Sequence, residues 1–293
     1  MSSDTVPNIS IIVSGKVESP VLEMLTKVEG IHLNIICSNL LDYEIETEKF
    51  QPIKLFPWEL VTVLKQTTEN VQEAFPIPSK IKEELLSSLA DDKKFEEDDL
   101  HILYNINQIE SVSKNIESVY EVLEGQVGKK QLKIFPLSDF NPNLIAVKQK
   151  RWSPLRYYSE TGELLFDIAK LNGEEGKKKK GNKSLEIEGI EKLESVKLND
   201  RVKDVLGESD LVVFIPTDIL SLEVFLRSKS LSQQVKKLSP LNKAVILWNP
   251  KLAADSSERD AELSPLLGFE DFESFDSYFS EIFDYVVIDK DAS

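Results

Sequence analysis

Apolar residues open the chain in a short and nearly uninterrupted run. Asn8–Ser14 is rich in β-branched residues, which predicts a buried strand of a parallel sheet. Apolar residues then recur at helical spacing from Pro20 to Val28, and Ile31–Ile36 has the composition of a second strand. Together these segments span about 30 residues, the size of a strand–helix–strand unit with parallel strands.

The middle of the chain alternates between helical spacing and short apolar runs, with proline residues between some of the segments. These patterns predict helices and strands joined by polar connections. The predicted elements are, in order, helices at residues 58–74 and 79–90, an exposed acidic loop at 91–99, a strand at 100–104, a helix at 108–123 and a strand at 132–135.

The last third of the chain has the most regular pattern, because each apolar run is followed by a segment with helical spacing. The predicted elements are a helix at 197–208, a strand at 210–216, a helix at 219–238, a strand at 242–248, a helix at about 272–283 and a strand at 285–288. Strands that alternate with helices predict an α/β fold, with a mostly parallel sheet and helices on both faces.

Between the two halves, the pattern changes from helical spacing to an alternating one over residues 144–168. The polar turn Ser159–Gly162 joins two alternating runs, which predicts a β-hairpin insertion. Residues 172–184 are glycine- and lysine-rich, which predicts a flexible loop. We therefore expect residues 1–293 to form one α/β domain, or two closely packed α/β halves at about 1–140 and 141–293.

Two stretches of the chain, residues 99–136 and 210–250, have the same order of apolar run, amphipathic helix and second apolar run. An internal duplication would produce this likeness. Any two strand–helix–strand units look alike at this level, however, and we favour that interpretation.

The charge of the chain limits the classes of partner. Asp and Glu number 51 against 35 Lys and Arg, which gives a formal net charge of −16. Such a surface repels nucleic acid and anionic lipid headgroups, so we expect neither as a partner. No apolar run is long enough to span a membrane, so we expect no membrane insertion.

The single cysteine, Cys37, lies in an apolar run and cannot form an internal disulfide, so nothing indicates an oxidising compartment. The residues at the start of the sequence do not form a secretory signal pattern. We predict a cytoplasmic protein. The nucleus is the alternative, because Lys177–Lys180 matches a short basic import patch.

Complete catalytic and metal-binding motifs are absent from the sequence. The histidines His32 and His101 lie in predicted strands without further metal ligands at suitable spacing, so we interpret both as structural. Acidic clusters such as Glu96–Asp99 are typical of a solvated face in a chain this acidic. We therefore predict no cofactor, no metal and no catalytic residue for the leading hypothesis.

The first strand ends in a partial phosphate-binding motif, Ser14-Gly15-Lys16. A phosphate-binding loop has a glycine five residues before its Gly-Lys pair and a hydroxyl residue directly after it. Those positions hold Ser10 and Val17 here, so we interpret the segment as a tight strand-to-helix turn.

The later part of the chain resembles a small-GTPase-like domain in the order of its elements, over about residues 144–255 together with the first strand and helix. Leu165–Ala169 corresponds to the strand that ends in an aspartate, and Asp210–Phe214 corresponds to the central strand. Lys243–Lys251 falls where that family has its asparagine–lysine motif for guanine.

Several positions depart from the small-GTPase pattern at residues that would contact nucleotide. Lys170 stands where the family has a glycine after Asp167, and Pro250 stands where a lysine follows the asparagine. The resemblance therefore implies a degenerate domain without a phosphate-binding loop, which would bind other molecules without catalysis.

A second resemblance is to the 2-phospho-lactate transferase type of α/β protein. Its late segment also has an Asp-Leu-Val-Val strand, here Asp210–Val213, followed by a helix and an aliphatic strand. The glycine-rich first turn of that type is replaced here by Ser14-Gly15-Lys16.

Two functional hypotheses follow from these patterns. The leading hypothesis is a non-catalytic adaptor, assembly factor or complex subunit that binds other proteins, in an oligomeric state that the sequence does not define. Its contact surface would consist of two arginines and three aromatic residues, which are enriched at interfaces. These residues are Arg151, Trp152, Arg156, Tyr157 and Tyr158.

The alternative hypothesis is a divergent transferase or nucleotide-binding enzyme. In open α/β sheets, ligands bind beyond the carboxyl ends of the strands. The polar residues that follow the predicted strands are therefore the candidates for this site. They are Ser14, Gly15, Lys16, Thr217, Asp218 and Asn249.

Overall fold

A computed structural model describes part of the chain. The described residues are 6–14, 19–38, 43–45, 53–55, 58–89, 96–113, 115–139, 146–147, 151–152, 186–187, 197–216, 233, 236–237, 243–248, 280 and 283–288.

The described strands fall into one large sheet and two small ones. They are β1 (Asn8–Ser14), β2 (His32–Cys37), β3 (Tyr43–Ile45), β4 (Ile53–Leu55), β5 (Leu132–Pro136), β6 (Ala146–Val147), β7 (Arg151–Trp152), β8 (Glu186–Ile187), β9 (Leu211–Pro216), β10 (Lys243–Trp248) and β11 (Tyr285–Ile288).

Seven helices can be given bounds within the described residues. They are α1 (Pro20–Leu25), α2 (Trp58–Thr67), α3 (Val71–Ala74), α4 (Ser79–Leu89), α5 (Glu97–Val112), α6 (Ile116–Val127) and α7 (Asp200–Glu208). No helix in this part of the chain is long and apolar enough to cross a lipid bilayer.

The large sheet has six strands in the order β11-β10-β9-β1-β2-β5, and all of its pairings are parallel. Its strands come from both halves of the chain. The chain builds outward from β1 in one direction as far as β5, then returns to the other side of β1 and builds outward again. This is the order of a doubly wound α/β fold, so the predicted fold class is confirmed.

One face of the sheet carries a row of aliphatic side chains in register, Val213, Ile11, Ile35 and Ile134. All four belong to one buried cluster, which also contains side chains of α1, α2, α5 and α6. Successive side chains of a strand point to opposite faces, so residues two apart along β1 and β2 extend the same cluster. The helical members that are fully buried include Leu22, Leu60, Leu64, Ile102, Ile106 and Leu123.

The opposite face carries a second row in register, formed by Phe214, Ile12, Ile36 and Phe135. Helix α7 contacts β1, and its fully buried Val202 and Leu206 lie outside the first cluster. The ring of Phe214 also stacks on Phe283, with centroids 5.6 Å apart. Helices therefore cover both faces of the sheet, as the alternating pattern predicted.

One predicted strand is wrong. Leu100–Tyr104 lies within α5, which begins inside the acidic run that was expected to be an exposed loop. The main-chain N–H of Glu96 donates to Asp99 Oδ2 at 2.9 Å, which satisfies a main-chain donor at the start of the helix. The stretch at 99–136 therefore begins with a helix, so it does not repeat the strand-first order of 210–250.

Two predicted helices are each divided in the structure. The segment 58–74 breaks between α2 and α3, where Asn70 caps the second helix by accepting from the Glu73 N–H. The helix expected at 108–123 spans the end of α5 and most of α6, and Asn115 caps α6. Both breaks occur at an asparagine whose side chain replaces the missing helical acceptor.

In the region of the predicted insertion, the structure describes a small antiparallel sheet in the order β7-β6-β8, whose pairings are not those of the expected hairpin around 159–162. Ala146 pairs with Trp152 and Val147 pairs with Arg151. The turn expected at 159–162 and the loop expected at 172–184 lie outside the described residues. The division of the chain into one domain or two halves stays a prediction.

Candidate functional site

The order of the strands reverses between β1 and β9, at the centre of the sheet. These two strands are paired in register to their carboxyl ends, where Ser14 lies opposite Pro216. In doubly wound sheets, the crevice at such a reversal is the usual position of a bound ligand, because the connections leave the two strands toward opposite faces. This end of the sheet is therefore the candidate site.

Most of the candidate residues for a ligand site follow directly from these strand ends in the chain. Gly15 and Lys16 come after Ser14, whereas Thr217 and Asp218 come after Pro216. Of the sequence-predicted ligand-site residues, only Ser14 belongs to the described part of the chain, and it is fully buried. Gly15, Lys16, Thr217, Asp218 and Asn249 lie outside it.

Three buried serines mark the carboxyl ends of three adjacent strands. Ser14 ends β1, Ser38 follows β2, and Ser138 lies two residues beyond β5. Main-chain hydrogen bonds continue past the strands here, because the Ser38 N–H donates to Val13 O at 2.9 Å and the Leu137 N–H donates to Cys37 O at 3.0 Å. The sheet therefore holds the backbone of this edge firmly, and hydroxyl groups accompany each strand end.

A buried carboxylate lies near the same end of the sheet. Glu59, in the first turn of α2, is 2% exposed. Burial raises the pKa of the Cys37 thiol well above its usual range, and the nearby charge of Glu59 raises that pKa further. Cys37 therefore stays protonated and acts as an apolar core residue, as the sequence indicated, whereas Glu59 is an acid at this end that sequence reasoning missed.

At the carboxyl end of β5, Asn199 joins three segments of the chain. Its main-chain N–H donates to Leu137 O at 3.0 Å, and its Oδ1 accepts from the Val202 N–H to cap α7. Its Nδ2 donates to Asp139 Oδ1 at 2.5 Å and to Glu117 Oε1 at 3.2 Å. Since both the Oδ1 and the Nδ2 of Asn199 are hydrogen-bonded within the protein, we interpret Asn199 as a structural residue that connects these segments at the margin of the site.

The guanidinium group of Arg201, near Asn199, is committed to the protein. It lies 2.8 Å from Glu121 Oε1 and 3.5 Å from Glu117 Oε1, and its centre is 5.4 Å from the centroid of the Phe135 ring. Hydrogen bonding to Glu121 is the largest cause that raises the pKa of Arg201. Two carboxylates already balance this cation, which disfavours it as an anion-binding group.

The two histidines lie apart from the strand ends of the candidate site. His32 is the first residue of β2, at the amino end of the strand, and its main-chain N–H donates to Pro7 O. His101 is in α5 rather than in a strand, and its Nδ1 lies 2.7 Å from Phe75 O. Among the described residues, no group of three or more His, Cys, Asp or Glu side chains is suited to hold a metal ion.

The contact surface expected for an adaptor belongs to a different segment of the chain from the ends of β1 and β9. Arg151 and Trp152 form β7, which pairs with β6. Arg156, Tyr157 and Tyr158 are outside the described residues. This surface therefore stays a prediction.

Residues that sequence reasoning missed at the site include Ser38 and Glu59. Ser38 follows an aliphatic strand in the same way as Ser14, so the rule that found one could have found the other. Glu59 offered no such signal, because its burial depends on how α2 packs against the sheet.

Comparison with known proteins identifies similar structures only. No protein-family profile and no curated protein sequence matches the chain significantly. A crystal structure of protein BH3568 from Bacillus halodurans matches 98% of this chain and 89% of its own, with 12% identity and a TM-score of 0.52. A second crystal structure from that organism, of a UPF0052 family member (bh3568), covers 83% of this chain and 69% of its own, with 13% identity and a TM-score of 0.46.

At this level of identity, the likeness shows a shared α/β fold and nothing finer. It supports the second resemblance found in the sequence, to the 2-phospho-lactate transferase type, at the level of fold. It gives no support to the small-GTPase resemblance. It gives none to the adaptor hypothesis either.

Proposed function

We propose that this protein binds a phosphorylated small molecule or nucleotide at the carboxyl ends of β1 and β9, as a divergent transferase would. The observation that carries the proposal is the reversal of strand order at this point, with Ser14 and Pro216 paired at the two strand ends. A reversal of this kind separates the two following connections and leaves a crevice between them.

The residue types that follow these strand ends suit a phosphorylated ligand. Lys16 supplies a compact cation for phosphate oxygens, and Gly15 has no Cβ to prevent a close approach of the backbone. Thr217 supplies a hydroxyl donor, and Asp218 supplies a carboxylate that can accept a proton. Asn249 directly follows β10, the neighbour of β9 in the sheet, and carries a side-chain amide.

The described surroundings support this proposal. The buried residues Ser14 and Ser38 place hydroxyl groups at the carboxyl ends of β1 and β2, and the buried acid Glu59 lies near the same end of the sheet. Hydroxyl groups shielded from water donate stronger hydrogen bonds to a phosphate than they do in solvent, whereas a carboxylate repels a phosphate, so the two serines and not Glu59 support this proposal. The adaptor hypothesis lacks a comparable observation, so we do not advance it as a second function.

A thermal-shift screen tests the proposal. The compounds are adenosine and guanosine di- and triphosphates with Mg²⁺, inorganic phosphate, inorganic pyrophosphate and 2-phospho-L-lactate. A ligand at 100 times its Kd stabilises the folded state by about 2.7 kcal/mol, which corresponds to a rise in Tm of about 5 °C for a chain of this size. We expect at least one compound to produce such a rise.

A pair of lysine variants locates the binding site. Lys16→Met removes the cation after β1, whereas Lys27→Met removes an exposed cation whose described partner is Glu23 on α1. We expect the first variant to lose the ligand-induced rise in Tm and the second to keep it. If every compound leaves the Tm of the unaltered protein unchanged, or if the two variants respond alike, this site does not bind phosphorylated ligands.

A further inference from the structure

The side-chain amide of Gln66, in the last turn of α2, forms a two-point bracket on the backbone of Ser19. Its Oε1 accepts from the Ser19 N–H at 3.2 Å, and its Nε2 donates to Ser19 O at 2.9 Å. An N–H can only donate and a carbonyl can only accept, so these two partners fix the orientation of the amide. The bracket therefore constrains both the position and the direction of the backbone at Ser19.

Ser19 is the residue at which the chain enters α1 after leaving β1. It is 3% exposed, and its hydroxyl caps α1 by accepting from the Leu22 N–H at 3.4 Å. Helix α1 has only six residues, and a helix that short does not hold its own start in place. The bracket from α2 supplies what the short helix lacks.

The two ends of the connection from β1 to α1 are thus fixed by different means. Pairing with β2 as far as Val13 and with β9 as far as Ser14 fixes the carboxyl end of β1, and Gln66 fixes the start of α1 at Ser19. A ligand at the carboxyl end of β1 has an affinity that depends on both fixed points, because small misplacements of binding groups weaken binding strongly.

We propose that Gln66 is a positioning residue for ligand binding at the carboxyl end of β1, although it does not contact the ligand. This inference rests on the proposed function. It assigns to α2 a role beyond packing, because the Gln66 amide determines the position of Ser19, where α1 begins after β1. The same packing could be achieved by an apolar side chain of similar length, which would leave the start of α1 unconstrained.

The test compares two variants that each replace a half-buried amide by an apolar side chain. Gln66→Met removes both bonds to Ser19. Asn105→Leu is the matched control, because the Asn105 amide donates to Pro76 O at 3.2 Å and to His101 O at 2.9 Å, at a different helix junction. Gln66→Glu is a milder variant, which keeps an acceptor for the Ser19 N–H but loses the donor to Ser19 O.

Two measurements are made on the full chain. Hydrogen exchange followed by mass spectrometry reports on the peptide that covers Ser14–Leu25, and calorimetry reports the affinity for inorganic pyrophosphate. We expect Gln66→Met to speed exchange in this peptide and to weaken pyrophosphate binding about tenfold or more. Gln66→Glu should fall between that variant and the unaltered protein, and Asn105→Leu should change neither quantity.

The outcomes separate this inference from the function on which it rests. If Gln66→Met leaves exchange unchanged in this peptide, or binds pyrophosphate as tightly as Asn105→Leu does, the positioning role of Gln66 is overturned while the proposed function stands. If the unaltered protein binds neither pyrophosphate nor any other compound of the screen, the proposed function itself fails.

Discussion

The hydroxyl groups of Ser10 and Ser209 form a buried pair between β1 and the end of α7. They lie 2.6 Å apart, and the two residues are 0% and 1% exposed. Ser209 also donates its proton to Val205 O at 2.7 Å. Since a hydroxyl has only one proton, Ser10 must be the donor within the pair. The two serines are therefore unequal, and their substitutions should have unequal effects.

Ser10→Ala removes the donor but leaves Ser209 bonded to Val205, so the loss is one net hydrogen bond, about 1 kcal/mol of unfolding free energy. Ser209→Ala leaves the Ser10 proton without a partner at a buried position and also removes the bond to Val205 O. An unsatisfied buried donor costs about 1–3 kcal/mol by itself, so we expect Ser209→Ala to cost about 2–3 kcal/mol.

The double variant distinguishes this argument from a simple sum. Once Ser209 is alanine, Ser10→Ala removes a stranded donor, so it should be neutral or stabilising in that background. We therefore expect the double variant to be no less stable than Ser209→Ala alone. Urea unfolding of all four proteins measures the coupling. Additive losses, or a larger loss for Ser10→Ala than for Ser209→Ala, would refute the assignment of donor and acceptor.

Three further predictions concern a helix end, the core thiol and a helix start. Gly128 caps α6 with a φ of 73°, in the left-handed region that disfavours alanine, so Gly128→Ala should lower the free energy of unfolding by about 1 kcal/mol. Gly125→Ala, within the helix, should raise the free energy of unfolding by about 0.5–1 kcal/mol. Equal effects of the two substitutions in thermal unfolding would contradict this. Cys37 is fully buried with a raised pKa, so iodoacetamide at pH 8 should label it in urea but not in the native protein, as mass spectrometry can check. Burial raises the pKa of Asp99 in the folded protein, so protonation of this carboxyl favours folding. Relative to Asp99→Asn, the unaltered protein should therefore gain stability as the pH falls toward about 4 and lose that gain as the pH rises through the raised pKa. A stability difference that does not change with pH would contradict this.

The pattern of apolar residues was sufficient to predict the six strands of the large sheet, because parallel strands that are buried on both faces are nearly continuous apolar runs. Asn8–Ser14 was predicted with the bounds that the structure shows. The same criterion failed at Leu100–Tyr104, because a short apolar run is equally compatible with a buried helix. Leu103, Ile106 and Ile109 continue that run at helical spacing, which was the available signal.

The candidate site could be predicted only where it follows a strand directly. Ser14 was found by that rule, and it does lie at the reversal of strand order. The bracket on Ser19 could not be found, because Gln66 is 47 residues away and only the packing of α2 against the sheet brings the two together. A single sequence carries no record of such a contact.

The position of β1 between β2 and β9 has a consequence for the order of events during synthesis. The edge of β1 that faces β2 can pair within the first 37 residues, but its other edge pairs with residues about 200 positions later. Between the completion of β5 and the emergence of β9 lie about 75 residues, which take about 4–15 s to translate. During that interval the edge of β1 that later pairs with β9 lacks its native partner, and an unpaired strand edge is a template for intermolecular strand pairing.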